Sequence, residues 1–102
     1  MKIVINNTES SIFADGKLLI PGTNVLESFD EKQADAAAFV SNGSLEIKEP
    51  EKMTDKDKEK AVNEITNRDN LEKLEKALPK VDTSKAKKKL DNFDQQLKKQ
   101  QG

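Results

Sequence analysis

An α+β fold is predicted for this chain: a small β-β(-β)-α-β module followed by a separate helical unit of two or three helices. Three observations predict it. Short runs of β-branched and large apolar residues, separated by Gly, Pro and Asn signals, crowd the first half. Past Pro50 the chain turns to Lys, Glu, Asn and Gln, and its few apolar residues recur at spacings of three and four, as on one face of a helix. Charge divides at the same place: residues 1–50 carry four Lys and eight acids, a balance of −4, while residues 51–102 carry fourteen Lys or Arg and eleven acids, a balance of +3. The seam gives a module at 1–49, a linker at 50–53 and a helical unit at 54–102.

Lys2-Ile3-Val4-Ile5 opens as a strand, because branching at Cβ suits an extended backbone. Asn6-Asn7 turns the chain, and Ser11-Ile12-Phe13-Ala14 forms a second strand. Asp15-Gly16 is the strongest hairpin signal, since Gly takes the positive φ of a tight turn, and Lys17-Leu18-Leu19-Ile20 is the partner strand. Pro21-Gly22 ends it, because Pro lacks the ladder donor and the pair favours a type II turn. Asn24-Val25-Leu26-Glu27 supplies one more short strand. A helix follows, capped by Ser28 or Asp30, with Gln33 three residues after Asp30 as in a capping box and Phe29 as its staple. Asn42-Gly43 closes the helix with residues that tolerate left-handed backbone. Ser44-Leu45-Glu46-Ile47-Lys48 alternates apolar and polar, as a half-buried edge strand does. The predicted core is Ile3, Ile5, Ile12 or Phe13, Leu18, Ile20, Val25, Phe39, Leu45 and Ile47.

Beyond the linker, Thr54 stands three residues before Asp57, a capping box opening a helix through about Thr66. Asp69 or Asn70 starts a second helix with Leu71, Leu74 and Leu78 on one stripe, and Pro79 stops it. Thr83 or Ser84 caps a third, with Ala86, Leu90, Phe93 and Leu97 at spacings of four, three and four. The link Lys80-Val81-Asp82 makes this a helical hairpin or a helix-extended-helix arrangement. Each stripe is too narrow to hold one helix folded by itself. The helices must therefore pair with each other, with the first half, or with another subunit.

Composition limits the chemistry. Of 102 residues, 33% are hydrophobic and 36% charged, so apolar surface for a large core is scarce. A unit of about 50 residues lies near the lower limit for folding without a staple. The sequence has neither Cys nor His, which rules out a disulfide, a Cys-based zinc site and a His-activated nucleophile. Carboxylate-only chemistry would need a desolvated cleft that so small a module has little room to build. The expectation is a protein that is not an enzyme and takes no cofactor, metal or small-molecule substrate. No apolar run approaches the roughly 20 residues that span a bilayer. Asn6-Asn7-Thr8-Glu9 follows the first five residues too closely for a signal-peptide core, so an intracellular setting is expected.

Three clusters carry candidate chemistry. Lys85, Lys87, Lys88 and Lys89 can contact nucleic-acid phosphates, yet Asp82, Asp91 and Asp94 offset them and no Arg or aromatic interleaves the run, which favours a solvated helix face. Asp55, Asp57 and Glu59 resemble a set of hard oxygen ligands, but the Gly and Glu that an EF-hand loop places at its sixth and twelfth positions are missing, leaving a solvated helix start. The stripes Leu71, Leu74, Leu78 and Leu90, Phe93, Leu97 pack either on each other or on a partner, as in helix-in-groove or coiled-coil contacts.

The order Asp15-Gly16-Lys17-Leu18-Leu19-Ile20-Pro21-Gly22-Thr23, then a helix beginning with acids, then Val40-Ser41-Asn42-Gly43-Ser44-Leu45-Glu46, resembles the N-terminal module of small two-domain Mu-like phage and prophage proteins. In that group a linker and a helical unit, sometimes helix-extended-helix, follow the module. The chain departs from the pattern where a large aliphatic pair is replaced by Ala38-Phe39-Val40. The resemblance covers about half the chain and implies no catalytic residues. It implies a virion-associated or morphogenesis protein in the host cytoplasm or virion, acting through contacts with other phage structural proteins or with itself. The alternative is a nucleic-acid-binding accessory protein using the basic C-terminal helix.

Overall fold

The computed structural model describes residues 1–101, with side chains through Phe93. The fold is α+β. Five strands come first, β1 (Lys2–Asn6), β2 (Ile12–Ala14), β3 (Lys17–Leu19), β4 (Gly22–Leu26) and β5 (Leu45–Lys48), with helix α1 (Ala34–Ser41) between the last two. A 3-10 turn at Pro50–Lys52 leads to α2 (Asp55–Asn63), α3 (Arg68–Ala77) and α4 (Ser84–Gln101). The strands form two sheets: an antiparallel sheet of order β4-β1-β5 and the hairpin β2-β3.

Alternation along β1 sets the layers. Ile3 and Ile5 point to one face with Val25 of β4, and Val4 points to the other with Leu45 of β5. Helices α2 and α3 pack on the first face, and α4 packs against those two helices. The hairpin and α1 cover the second, where Ile12, Ala14, Leu19, Phe29 and Ala36 join Val4 and Leu45. The sheet is thus the middle of three layers.

The sheet and the helices do not keep separate interiors on either side of residues 50–53. Ile3, Ile5 and Val25 share one apolar cluster with Met53, Ala61, Val62, Ile65, Leu71, Leu74, Leu78, Ala86 and Leu90. Burying a large aliphatic side chain stabilises by about 1.5–3 kcal/mol. Stripes that cannot shield themselves therefore gain most by closing on the bare face of the sheet. Ion pairs cross the same seam, Lys60 with Glu46 (2.6 Å) and Lys48 with Asp57 (3.6 Å), while Lys2 pairs with Glu49 (3.0 Å) on its sheet side.

Several expected details hold. Asp15 (φ 50°) and Gly16 (φ 67°) both take positive φ, the geometry of a two-residue type I′ turn. Thr54 Oγ1 accepts from the Asp57 amide, and the Asp57 carboxylate accepts from the Thr54 amide, completing the capping box. Asn42–Gly43 closes α1.

Others differ, each because a tertiary contact outweighs a local preference. Asp30 does not cap α1; its amide donates to the Asp15 carboxylate, and the helix begins after Gln33 without a side-chain cap. Phe29 is no staple but part of the hairpin-side core. Leu18 and Phe13 lie outside, and Leu19 and Ile12 take the inward positions; Ile20, Phe39 and Ile47 are half-buried. Helix α2 stops at Asn63, so that Ile65 drops into the core with 0% exposure. Helix α3 is capped by the side chain of Asn67, not by Asp69 or Asn70, and the Asn70 side-chain oxygen Oδ1 instead accepts from the amide of Val25 (3.0 Å).

Pro21–Gly22 turns the chain into β4 at the point where the helical layer touches the sheet. Gly22 (φ 91°) lies against Glu64, and a Cβ there would fall 2.1 Å from the Glu64 carbonyl oxygen. The next amide, of Thr23, donates to that same oxygen (2.9 Å), and Thr23 Oγ1 donates to the Ala61 carbonyl (2.6 Å). With Asn70 on Val25, these contacts occupy the outer edge of β4 and close it to further strand pairing.

Candidate interaction surface

The sequence-derived docking residues divide sharply. Leu71, Leu74, Leu78 and Leu90 are 0–6% exposed and belong to the apolar cluster shared with the sheet, the first three on α3 and its end and Leu90 on α4, which packs against α2 and α3. They are interior packing residues, which corrects their reading as a partner-binding stripe: what they cover is the chain's own shared core. Phe93, one turn beyond Leu90, is 59% exposed. Leu97 lies outside the residues whose side chains are described.

The structure instead exposes Leu18, expected in the core, together with Phe13, the alternative to Ile12 there. Phe13 of β2 and Leu18 of β3 are directly opposed across the hairpin and are 64% and 61% exposed. Their position follows from strand alternation, because Ile12–Leu19 and Ala14–Lys17, the neighbouring cross-strand pairs, occupy the other face. The hairpin is anchored beneath. Asn6, buried in β1, donates through Nδ2 to the carbonyls of Leu19 (3.0 Å) and Ser10 (2.9 Å). At the turn, Lys17 Nζ donates to the Ser28 carbonyl (2.6 Å) and the Asp15 carboxylate (3.1 Å), and lies 5.9 Å from the centroid of the Phe29 ring. The backbone amide of Asp30, together with the Lys17 ammonium, holds the Asp15 carboxyl below its usual range. The turn is therefore fixed, and the apolar pair is presented on a braced platform.

A second exposed feature lies on α4. Lys85, Lys88, Lys89, Asn92 and Phe93 line one shallow depression. The four lysines singled out in the sequence do not act alike: Lys87 pairs with Glu75 (3.6 Å) and Lys89 Nζ donates to the Asn63 carbonyl (3.2 Å). Arg68 of α3 reaches across to Asp91 of α4. The start of the helix is fixed by chemistry as well: the Asp82 carboxylate accepts from the amide and hydroxyl of Ser84, which lowers its carboxyl value.

A groove of about 710 Å³ runs between α2 and the α3–α4 link. Val62, Ala77, Leu78 and Val81 line it, and its acids Glu51, Asp55, Glu59 and Asp82 are interspersed with Lys58, Lys80 and Lys85. Asp57, once grouped with Asp55 and Glu59, is engaged by the Thr54 amide and by Lys48, and its carboxyl value is lowered chiefly by that amide. Among the described residues no cluster of three acids is placed to hold a metal ion, and no helix is long and apolar enough to cross a membrane.

The buried polar residues that join the layers, Asn6, Thr23, Asn24 and Asn70, were not readable as functional from sequence, since nothing local separates them from surface Asn and Thr. Comparison with protein families, with curated proteins and with solved structures finds no match to this chain.

Proposed function

We propose that this protein is a non-catalytic binding module that works through protein–protein contacts, and that its setting is the one implied by the resemblance of residues 15–46, assembly of a phage or prophage particle. The observation that carries the reading is the Phe13–Leu18 pair. A chain this poor in apolar residues gains little by leaving a Phe and a Leu in water, and exposed apolar patches of this kind mark interaction sites. The pair sits on the same Asp15–Gly16–Lys17 hairpin that carries the resemblance.

A photo-crosslinking residue in place of Leu18, with one in place of exposed Glu72 as control, tests this in the cell or particle that makes the chain. A protein adduct specific to position 18, with a virion component as the captured partner, is expected. No adduct specific to position 18 overturns the contact reading, and a captured partner foreign to any particle overturns its setting.

One observation favours a second reading, nucleic-acid binding: Phe93, an exposed aromatic, lies among Lys85, Lys88 and Lys89. Titration with duplex and single-stranded DNA at two salt concentrations decides it, because phosphate contacts weaken steeply as salt rises. Absence of binding at low salt ends it.

A further inference from the structure

We infer that the outer edge of β5 is a docking surface for β5 of a second copy of this chain. The two strands run antiparallel about Ile47 and join two three-stranded sheets into one. This surface is separate from the Phe13–Leu18 pair. The two edges of the sheet are finished differently. In the β1–β5 ladder the Asn7 amide donates to the Ser44 carbonyl (2.8 Å). Strand alternation then turns the backbone groups of Glu46 and Lys48 toward β1 and those of Leu45 and Ile47 outward. On β4 the outward residues are Thr23 and Val25, whose amides donate to Glu64 and Asn70. Nothing equivalent serves β5: among the described residues, no group bonds to the outward amide or carbonyl of Leu45 or Ile47. Nor is this edge blunted. β5 follows β1 in unbroken register and contains no Pro, and its charged side chains are drawn to α2, where Glu46 meets Lys60 and Lys48 meets Asp57. Ile47, Lys48 and Glu49 line a surface depression, so solvent reaches this stretch.

The strand's own residues identify the occupant as a copy. With Ile47 opposite Ile47, the outward backbone groups of both strands meet in phase. Leu45 then lies opposite Glu49, whose backbone is still extended (φ −101°, ψ 127°). The same register sets Glu46 of each strand opposite Lys48 of the other on one face, as opposite charges. Ile47, half-buried in its own chain, meets its twin. Registers centred one residue either way, on Glu46 or on Lys48, oppose like charges and are disfavoured. The edge of β4 is closed, and the hairpin strands turn only Phe13 and Leu18 outward. The contact is therefore isologous and stops at a dimer.

A four-residue strand makes a small interface, so association belongs at the weak end of the range. Sedimentation velocity on the full chain from micromolar to millimolar concentration tests the inference, with thermal melts to check that each variant is folded. Wild type is expected to pass from monomer to dimer and no further. Ile47→Pro removes an outward amide, leaves the inner ladder its donors, and is expected to stay monomeric. Glu46→Lys and Lys48→Glu are each expected to lose the dimer, because each opposes like charges. An equimolar mixture of the two is expected to regain it as a heterodimer, since one strand then carries two bases and the other two acids. Amide exchange reads the edge directly and needs no variant: the Ile47 amide should slow as concentration rises, while the Glu46 amide, which faces β1, is slow throughout. A wild-type monomer at every concentration overturns the inference. So does a dimer that survives Ile47→Pro, a charge-variant mixture that stays monomeric, or an Ile47 amide equally protected in dilute solution. None of these results bears on position 18, so the hairpin reading stands or falls by its own crosslink.

Discussion

The two faces of the central sheet are covered on different terms. On the helix side, cover is complete: Ile3, Ile5 and Val25 lie under leucines with almost no exposure, and α2 and α3 also supply acceptors to the free edge of β4 through Glu64 and Asn70. On the other side the hairpin turns Ile12, Ala14 and Leu19 inward and keeps Phe13 and Leu18 outward. A helix can bury a narrow stripe and clothe the rest in charge. A two-stranded layer has as much outside as inside, so its outer face must be made polar by sequence, and here it is not. The structural load falls on the helix side, and the surface left for contact falls on the hairpin side.

That contrast can be broken from the helix side first. Leu74→Ala removes a side chain with 0% exposure from the shared cluster, and truncations of this kind cost about 2–5 kcal/mol. Urea unfolding should show one transition, shifted by that amount, for helix and sheet signals alike; loss of the helices from a sheet that stays folded would separate the layers. Asn70→Ala leaves the Val25 amide without its acceptor in a buried setting, an effect of about 1–3 kcal/mol. Faster hydrogen exchange at that amide is the direct readout, and unchanged exchange would show that its protection does not depend on Asn70. Thr54→Ala removes half of the capping box and should cost about 0.5–2 kcal/mol, read as a lower thermal midpoint.

Acid acts on the pairs that cross the seam. A hydrogen bond from Lys60 holds the Glu46 carboxyl below its ordinary 4.5, outweighing the opposing effect of burial. A value lowered by folding means the stabilisation is present above the unfolded value and is lost as pH falls through the folded one. Asp57 and Glu49, also lowered, add in the same direction. Stability should be level near neutrality and decline below about pH 4.5, and Glu46→Gln should shrink the decline. An unchanged acid limb in that variant would place the sensitivity elsewhere. The smallest effect belongs to the contact face: Phe13→Ser and Leu18→Ser should alter folding stability by no more than about 0.5 kcal/mol, as surface changes do. A larger loss in urea unfolding would mean the outer face of the hairpin is packed after all.

Local chemistry was legible where it had no rival. The Asp15–Gly16 turn, the Thr54–Asp57 capping box and the Asn42–Gly43 helix end are all written in adjacent residues. The hairpin's facing was not. Lys17-Leu18-Leu19-Ile20 offers three apolar residues in a row, so alternation cannot say which side is inside, and the buried partner of Leu19 is the small Ala14's neighbour Ile12 rather than the larger Phe13. Leu71, Leu74 and Leu78 were legible as one face but not as the lid of a sheet, because the strand they cover lies about fifty residues earlier in the chain. Asn70 reads locally as a helix start; only the nearness of Val25 turns it into an edge cap.

Glu64 and Gly22 meet at a spot with no room for even a methyl group. A sequence that drifts while retaining this arrangement is free to exchange its leucines for isoleucines or methionines and to rewrite its charges. It is not free at position 22. Distant kin of this architecture should therefore betray themselves by a glycine opening the strand, a hydroxyl residue directly after it and an amide on a later helix, long after the greasy pattern has blurred beyond recognition.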